Sequence, residues 1–126
     1  MRVPKTAIDT RMASALFAEA QAKGVTGFAG AVASRAMGGL WVGGNVWLTP
    51  EELVFRANAM NRRFHLDPKT LAWRIPLAEV ENVSVCKAFV TRIIEISTGE
   101  ETRSIRCFKA SAFAAAIEAT ARKVRA

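Results

Sequence analysis

The sequence predicts a mainly-β domain of the α+β class: about seven short antiparallel strands, a C-terminal amphipathic helix, and an additional short helix near the N-terminus. Three observations carry this reading. Residues 27–108 are short runs of β-favouring residues cut by Gly, Pro, Asn and Asp at hairpin spacing. Residues 111–124 switch to helical period, with Phe113, Ile117, Thr120 and Val124 at i, i+4, i+7 and i+11. A chain of 126 residues, 51% hydrophobic and 23% charged, suits one buried core and not two.

Element by element, Met12, Ala13, Leu16, Phe17 and Ala20 form a stripe at helical spacing over 10–23, after an Asp9 or Thr10 N-cap and before a Lys23-Gly24 stop. This predicts a helix within an N-terminal extension spanning 1–26, followed by the β domain at 27–126. The first two strands are expected at 28–35 and 40–48, joined by a turn at 36–39, and the third at 53–57 after the Thr49-Pro50-Glu51-Glu52 turn. A polar loop leads to a fourth strand at 71–75, where Leu71, Trp73 and Ile75 alternate with Ala72 and Arg74 before Pro76 ends the run. Strands five to seven are expected around Val83 and Val85, Ile94 and Ile96, and Ile105 and Cys107, with Thr98-Gly99-Glu100 as the last hairpin turn. Ser111 is the expected cap of the closing helix, and Arg122, Lys123 and Arg125 in its last turn oppose the negative end of the helix dipole.

Several function classes are poorly provided for. Cys86 and Cys107 are too few for a disulfide framework and too far apart for a zinc knuckle or redox pair, so reduced thiols are expected. His65 is the only histidine, no nucleophile elbow, HExxH or P-loop lysine is present, and the adjacent glutamates read as solvated turns. No enzymatic activity, catalytic residue, cofactor or metal is expected. Uncharged apolar stretches fall short of the ~18 residues that span a bilayer, and charges interrupt any leader-like N-terminus, so a cytoplasmic protein is expected.

Charge points to partners. Eighteen Lys and Arg against eleven Asp and Glu give +7, a field that attracts polyanions. The excess is concentrated at 56–74, where five bases face Asp67, and at 103–126, where six face Glu118. The chain lacks a base-reading motif, which disfavours nucleic acid and leaves an anionic membrane surface or a protein partner.

Residues 43–56, GGNVWLTPEELVFR, together with 75–85, IPLAEVENVSV, and the paired strands at 93–108, resemble the GRAM branch of the pleckstrin-homology superfold over roughly residues 40–122. Glu52 departs from the arginine common before Leu-Val-Phe, and the loop from Asn58 to Thr70 is particular to this chain. The resemblance implies a PH-like barrel and a non-enzymatic binding module that holds lipids, peptides or proteins on loops at its open end. On that barrel Arg35, Arg62, Arg63, His65 and Lys69 form the candidate anion or lipid site, since guanidinium and ammonium groups suit phosphate oxygens. Met37, Trp41, Trp47 and Trp73 are the candidate interface residues, because three tryptophans on strands cannot all point inward. Peripheral contact with the inner face of the membrane and self-association through a sheet edge both follow from this reading.

Overall fold

The computed structural model describes residues 4, 6–17, 40–58, 71–88 and 91–126. They form one seven-stranded antiparallel sheet in the order β4-β3-β2-β1-β7-β6-β5. Its strands are β1 Asp9–Phe17, β2 Leu40–Leu48, β3 Glu52–Ala57, β4 Ala72–Pro76, β5 Val80–Ala88, β6 Thr91–Thr98 and β7 Thr102–Cys107. A one-turn 3-10 helix, Leu77–Glu79, links β4 to β5, and the chain ends in the helix α1, Ala110–Arg125. The mainly-β class, the strands from β2 to β7 and the C-terminal helix are as the sequence predicts, whereas β1 is not the strand expected first.

Among the described residues no N-terminal helix is seen. Residues 9–17 are a strand, with Ala13, Ala15 and Phe17 buried and Met12 exposed, a period of two and not of 3.6. The helical stripe and the strand alternation share Ala13 and Phe17, so the local pattern is ambiguous. Tertiary pairing resolves it, because β1 is bonded on both edges, to β2 from Asp9↔Leu48 through Phe17↔Leu40 and to β7 from Ala13↔Cys107 through Ala15↔Ile105. Two ladders satisfy the backbone and override the helix propensity of alanine and leucine. The remainder of the expected helix, the strand expected at 28–35 and its turn at 36–39 lie outside the described residues, and β1 supplies the strand beside β2.

Two hairpins use the same turn chemistry. In Thr49-Pro50-Glu51-Glu52 the Thr49 hydroxyl accepts from the N–H groups of Glu51 at 3.2 Å and Glu52 at 3.0 Å. In Thr98-Gly99-Glu100-Glu101 the Thr98 hydroxyl accepts from Glu100 at 3.3 Å and Glu101 at 3.2 Å. A threonine that mimics the backbone acceptor fixes each turn, and the strand register follows. Thus Leu48 faces Leu53 and Val46 faces Phe55 across the first hairpin.

The inner face of the sheet and the buried side of α1 make one core. Leu48, Leu53, Phe55, Ile94, Ile96 and Ile105 from the strands meet Phe113 and Ile117 from α1, all essentially without solvent contact. Phe17, Phe55 and Trp73 form a row with ring centroids 5.9 and 5.7 Å apart. Ser111 does not cap α1. The N-cap is Lys109, in the left-handed region at φ 54°, with no side-chain cap bond, and Ser111 lies inside the first turn. The cations of the last turn behave as expected for a helix end: Arg122 pairs with Glu118 at 2.8 Å, and Arg125 donates to the carbonyl of Val80.

Gly44 marks the tightest strand contact. A Cβ there would lie 2.2 Å from the Arg56 carbonyl oxygen and 2.8 Å from the Ala57 Cα, both backbone atoms that cannot rotate away. Gly44→Ala is expected to destabilise the fold by about 2–3 kcal/mol, read as a fall in Tm of roughly 10 °C by circular dichroism. An unchanged Tm would show that β2 and β3 separate freely at this point.

Candidate functional site

Where β7 turns into α1, the chain forms an open cleft of about 720 Å³ lined by Arg92, Arg106, Cys107, Phe108, Lys109 and Ser111, among others. Sheet register builds it. Arg106 faces Ile93 across the β6–β7 pair on the outer face, whereas Arg92, one residue earlier on β6, points to the inner face towards α1, so the two guanidinium groups line the cleft from opposite faces at the end of the sheet. Arg92 donates to the Ser111 hydroxyl at 2.9 Å and so reaches the first turn of α1. Arg106 lies over the Trp41 ring, 4.3 Å from its centroid, a cation–π contact that holds the guanidinium against the sheet. Lys109 sits at the corner itself, its ammonium 5.8 Å from the Phe108 ring.

The electrostatics of this corner run against the ordinary rule for helix starts. Carboxylates favour the first turn of a helix and cations oppose it. The first turn of α1 has no acidic residue, its N-cap is a lysine, and Arg92 contacts its second residue. Arg11 is also near, but it is already neutralised: Asp9 binds it twice, at 3.1 Å each, and this hydrogen bonding raises its pKa against the opposing effect of burial. Arg11 instead braces the corner, donating to the Phe108 carbonyl at 3.0 Å and lying 5.1 Å from the Phe113 ring centroid. Among the described residues no carboxylate pairs with Arg92, Arg106 or Lys109. The cleft therefore has three cations in its lining and no carboxylate among the described residues.

Apolar exposure falls at the same corner. Met12 is 83% and Phe108 81% exposed, more than any other large hydrophobic residue described. They are neighbours across the β1–β7 ladder, one step beyond the Ala13↔Cys107 pair.

At the other end of α1 a cleft of about 580 Å³ mixes signs, with Glu79, Glu81, Glu100 and Glu101 around Arg74 and Arg125. Among the described residues no three His, Cys, Asp or Glu side chains are grouped to hold a metal ion, and no helix is long and apolar enough to cross a membrane.

The residues singled out from sequence fare differently. Arg35, Arg62, Arg63, His65, Lys69 and Met37 lie outside the described residues. Trp41 and Trp47 are half-buried on the outer face of the sheet, Trp41 against Arg106 and Trp47 opposite Val54. Trp73 is 5% exposed and packed in the core, which removes it as an interface residue. The cleft residues Arg92, Arg106, Phe108 and Lys109 were not distinguishable by pattern. The one available signal was Phe108-Lys109, an aromatic and a base placed where a strand must turn into a helix and where turn residues are the norm.

No protein-family model and no curated protein matches the chain. Its fold is similar to the crystal structure of the C-terminal domain of an unknown protein from Leishmania infantum, with a TM-score of 0.58 and 15% identity over 91% of this chain and 84% of that one.

The surroundings of both thiols raise their pKa. The exposed Cys86 donates to the Glu95 carboxylate at 3.3 Å, and this bond pushes its pKa up. Burial pushes Cys107 up, with Arg11 pulling the other way. Because the thiolate is the nucleophile, a raised pKa means less reaction at a given pH. Cys86 is therefore expected to react with iodoacetamide at pH 8 more slowly than an unperturbed exposed cysteine, and Glu95→Gln to accelerate it. A Cys86 rate that Glu95→Gln leaves unchanged would exclude control by this hydrogen bond.

Proposed function

We propose that the chain is a non-enzymatic binding module of the pleckstrin-homology/GRAM type that docks on anionic membrane surfaces at the corner between β7 and α1. The observation that carries this reading is the coincidence of two exposed apolar side chains, Met12 and Phe108, with three cations that have no carboxylate partner among the described residues, Arg92, Arg106 and Lys109, at a helix start without acids. Among the described residues, seven antiparallel strands followed by one C-terminal helix support the superfold.

Each part has a task at a lipid surface. Arg92 and Arg106 each offer guanidinium N–H donors to phosphate oxygens, Lys109 offers a mobile point charge, and Ala110, Ser111 and Ala112 of the first turn of α1 line the same cleft. Phe108 and Met12 enter the boundary between headgroups and acyl chains, where apolar area adds to the electrostatic attraction. Three basic residues near a negatively charged leaflet contribute about 1 kcal/mol each, so the bases and the apolar pair are both needed for stable attachment.

Co-sedimentation with vesicles tests this. The protein is expected to bind phosphatidylserine-containing vesicles and not neutral phosphatidylcholine vesicles, with binding weakened by salt. Arg106→Glu combined with Lys109→Glu is expected to reduce binding by about tenfold or more, consistent with two charge reversals near the surface, and Phe108→Ala to reduce it without changing the salt dependence. Absence of binding to fully anionic vesicles at low salt would sink the proposal. A loss seen instead in the Arg62→Glu, Arg63→Glu variant would move the site to the loop between β3 and β4.

A further inference from the structure

The two edges of the sheet differ. β4 has five residues, carries the Arg74–Glu52 ion pair at 2.8 Å and ends in Pro76, features that blunt an edge against further pairing. β5 has nine residues, contains no proline, pairs among the described strands with β6 alone, and is exposed from Glu81 through Lys87 save for the half-buried Val83. We propose that β5 is a homodimerisation edge, on which a second copy of this chain pairs its own β5 antiparallel about a two-fold axis at Ser84, making one continuous sheet.

The sequence of the edge is complementary to itself in this register. With Ser84 opposite its own copy, Val83 meets Val85, Asn82 meets Cys86, and Lys87 arrives at the irregularity between Val80 and Asn82 that holds Glu81. Each contact occurs twice by symmetry, as an isologous interface requires. Val83 and Val85 share the face of Ile94 and Ile96, their partners on β6, yet Val85 is left 38% exposed at the rim of the core. A second β5 would cover it with valine.

Charge favours the same occupant. Within one chain Lys87 lies directly opposite Arg92 on β6, a like-charge cross-strand pair, which is destabilising. Among the described residues neither Lys87 nor Glu81 has an ion-pair partner. The two-fold arrangement supplies a carboxylate to each lysine and a lysine to each carboxylate. Shifting the axis to Val83 or Val85 separates Lys87 from Glu81 and leaves only one valine opposite a valine, with Val85 meeting Glu81 or Val83 meeting Lys87. This inference does not rest on membrane binding, which uses the corner between β7 and α1.

Light scattering coupled to gel filtration, over a concentration series reaching the high micromolar range, reads the prediction directly. The wild-type chain is expected to reach the mass of two chains. Lys87→Glu is expected to weaken association by about tenfold or more, since two attractive contacts become repulsive, and Glu81→Lys combined with Lys87→Glu to restore it. Recovery in the double variant separates charge pairing from a folding defect. Ser84→Cys in a Cys86→Ser background is expected to form a covalent dimer on mild oxidation, whereas Ser111→Cys in the same background is not. The cross-link decides the matter where a charge variant does not fold. A wild-type mass of one chain throughout, or a dimer that survives Lys87→Glu and leaves Ser84→Cys uncrosslinked, overturns the proposal.

Discussion

Antiparallel pairing of β1 along both of its edges holds this molecule together. On one side it is bonded to β2 over its full length, and on the other to β7 around Ala13–Cys107. Removal of β1 would leave two three-stranded sheets, β4-β3-β2 and β7-β6-β5, with new edges opened at β2 and β7. Ala13 and Ala15 suit this place because small inward side chains leave the interior to the larger residues on β2, β3 and β7. The pairing joins residues from opposite ends of the chain, so its loop-closure entropy must be offset by core burial that forms with it.

The seam also fixes the site. Arg11 extends from β1 across the corner, where it binds Asp9, the Phe108 carbonyl 97 residues away, and the face of Phe113 in α1. One guanidinium therefore ties the first strand to the end of the last strand and to the helix that follows. Lys109, the only non-glycine residue at positive φ among those described, is held in that conformation by the turn this bracing stabilises. The cleft is built into the seam, and its geometry depends on the same contacts that close the core.

The distribution of charge gives the +7 excess a structural meaning. Arg11, Arg74, Arg103 and Arg122 are each matched by a carboxylate, and Arg125 binds a backbone carbonyl beside the C-terminal end of α1. These groups stabilise turns, strand pairs and a helix end. Arg92, Arg106 and Lys109 are matched instead by a hydroxyl and two aromatic rings, which position a cation without neutralising it. The opposite end of α1 collects Glu79, Glu81, Glu100 and Glu101. The helix therefore separates a basic cleft from a largely acidic one.

Residue pattern alone determined the β class, the strands from β2 onward, the threonine-led turns and the C-terminal helix, because alternation, turn residues and helical period are local signals. Leu53 and Phe55, or Trp73 and Ile75, face inward in any fold that gives their strands a single buried side. Tertiary structure decided what local signals leave open. Residues 9–17 satisfy both periods, and only two neighbouring strands make them a strand. Ser111 is a sound N-cap by type, but the β7 exit places the left-handed residue at Lys109 and leaves the serine to Arg92. Trp73 and Trp41 look alike in sequence, yet one is core and the other lies beneath Arg106, because a side chain's face is set by strand register across the whole sheet. The cleft follows the same reasoning: Arg92, Arg106 and Lys109 come from a strand start, a strand end and a helix cap, and nothing in their order along the chain announces that they line one cleft.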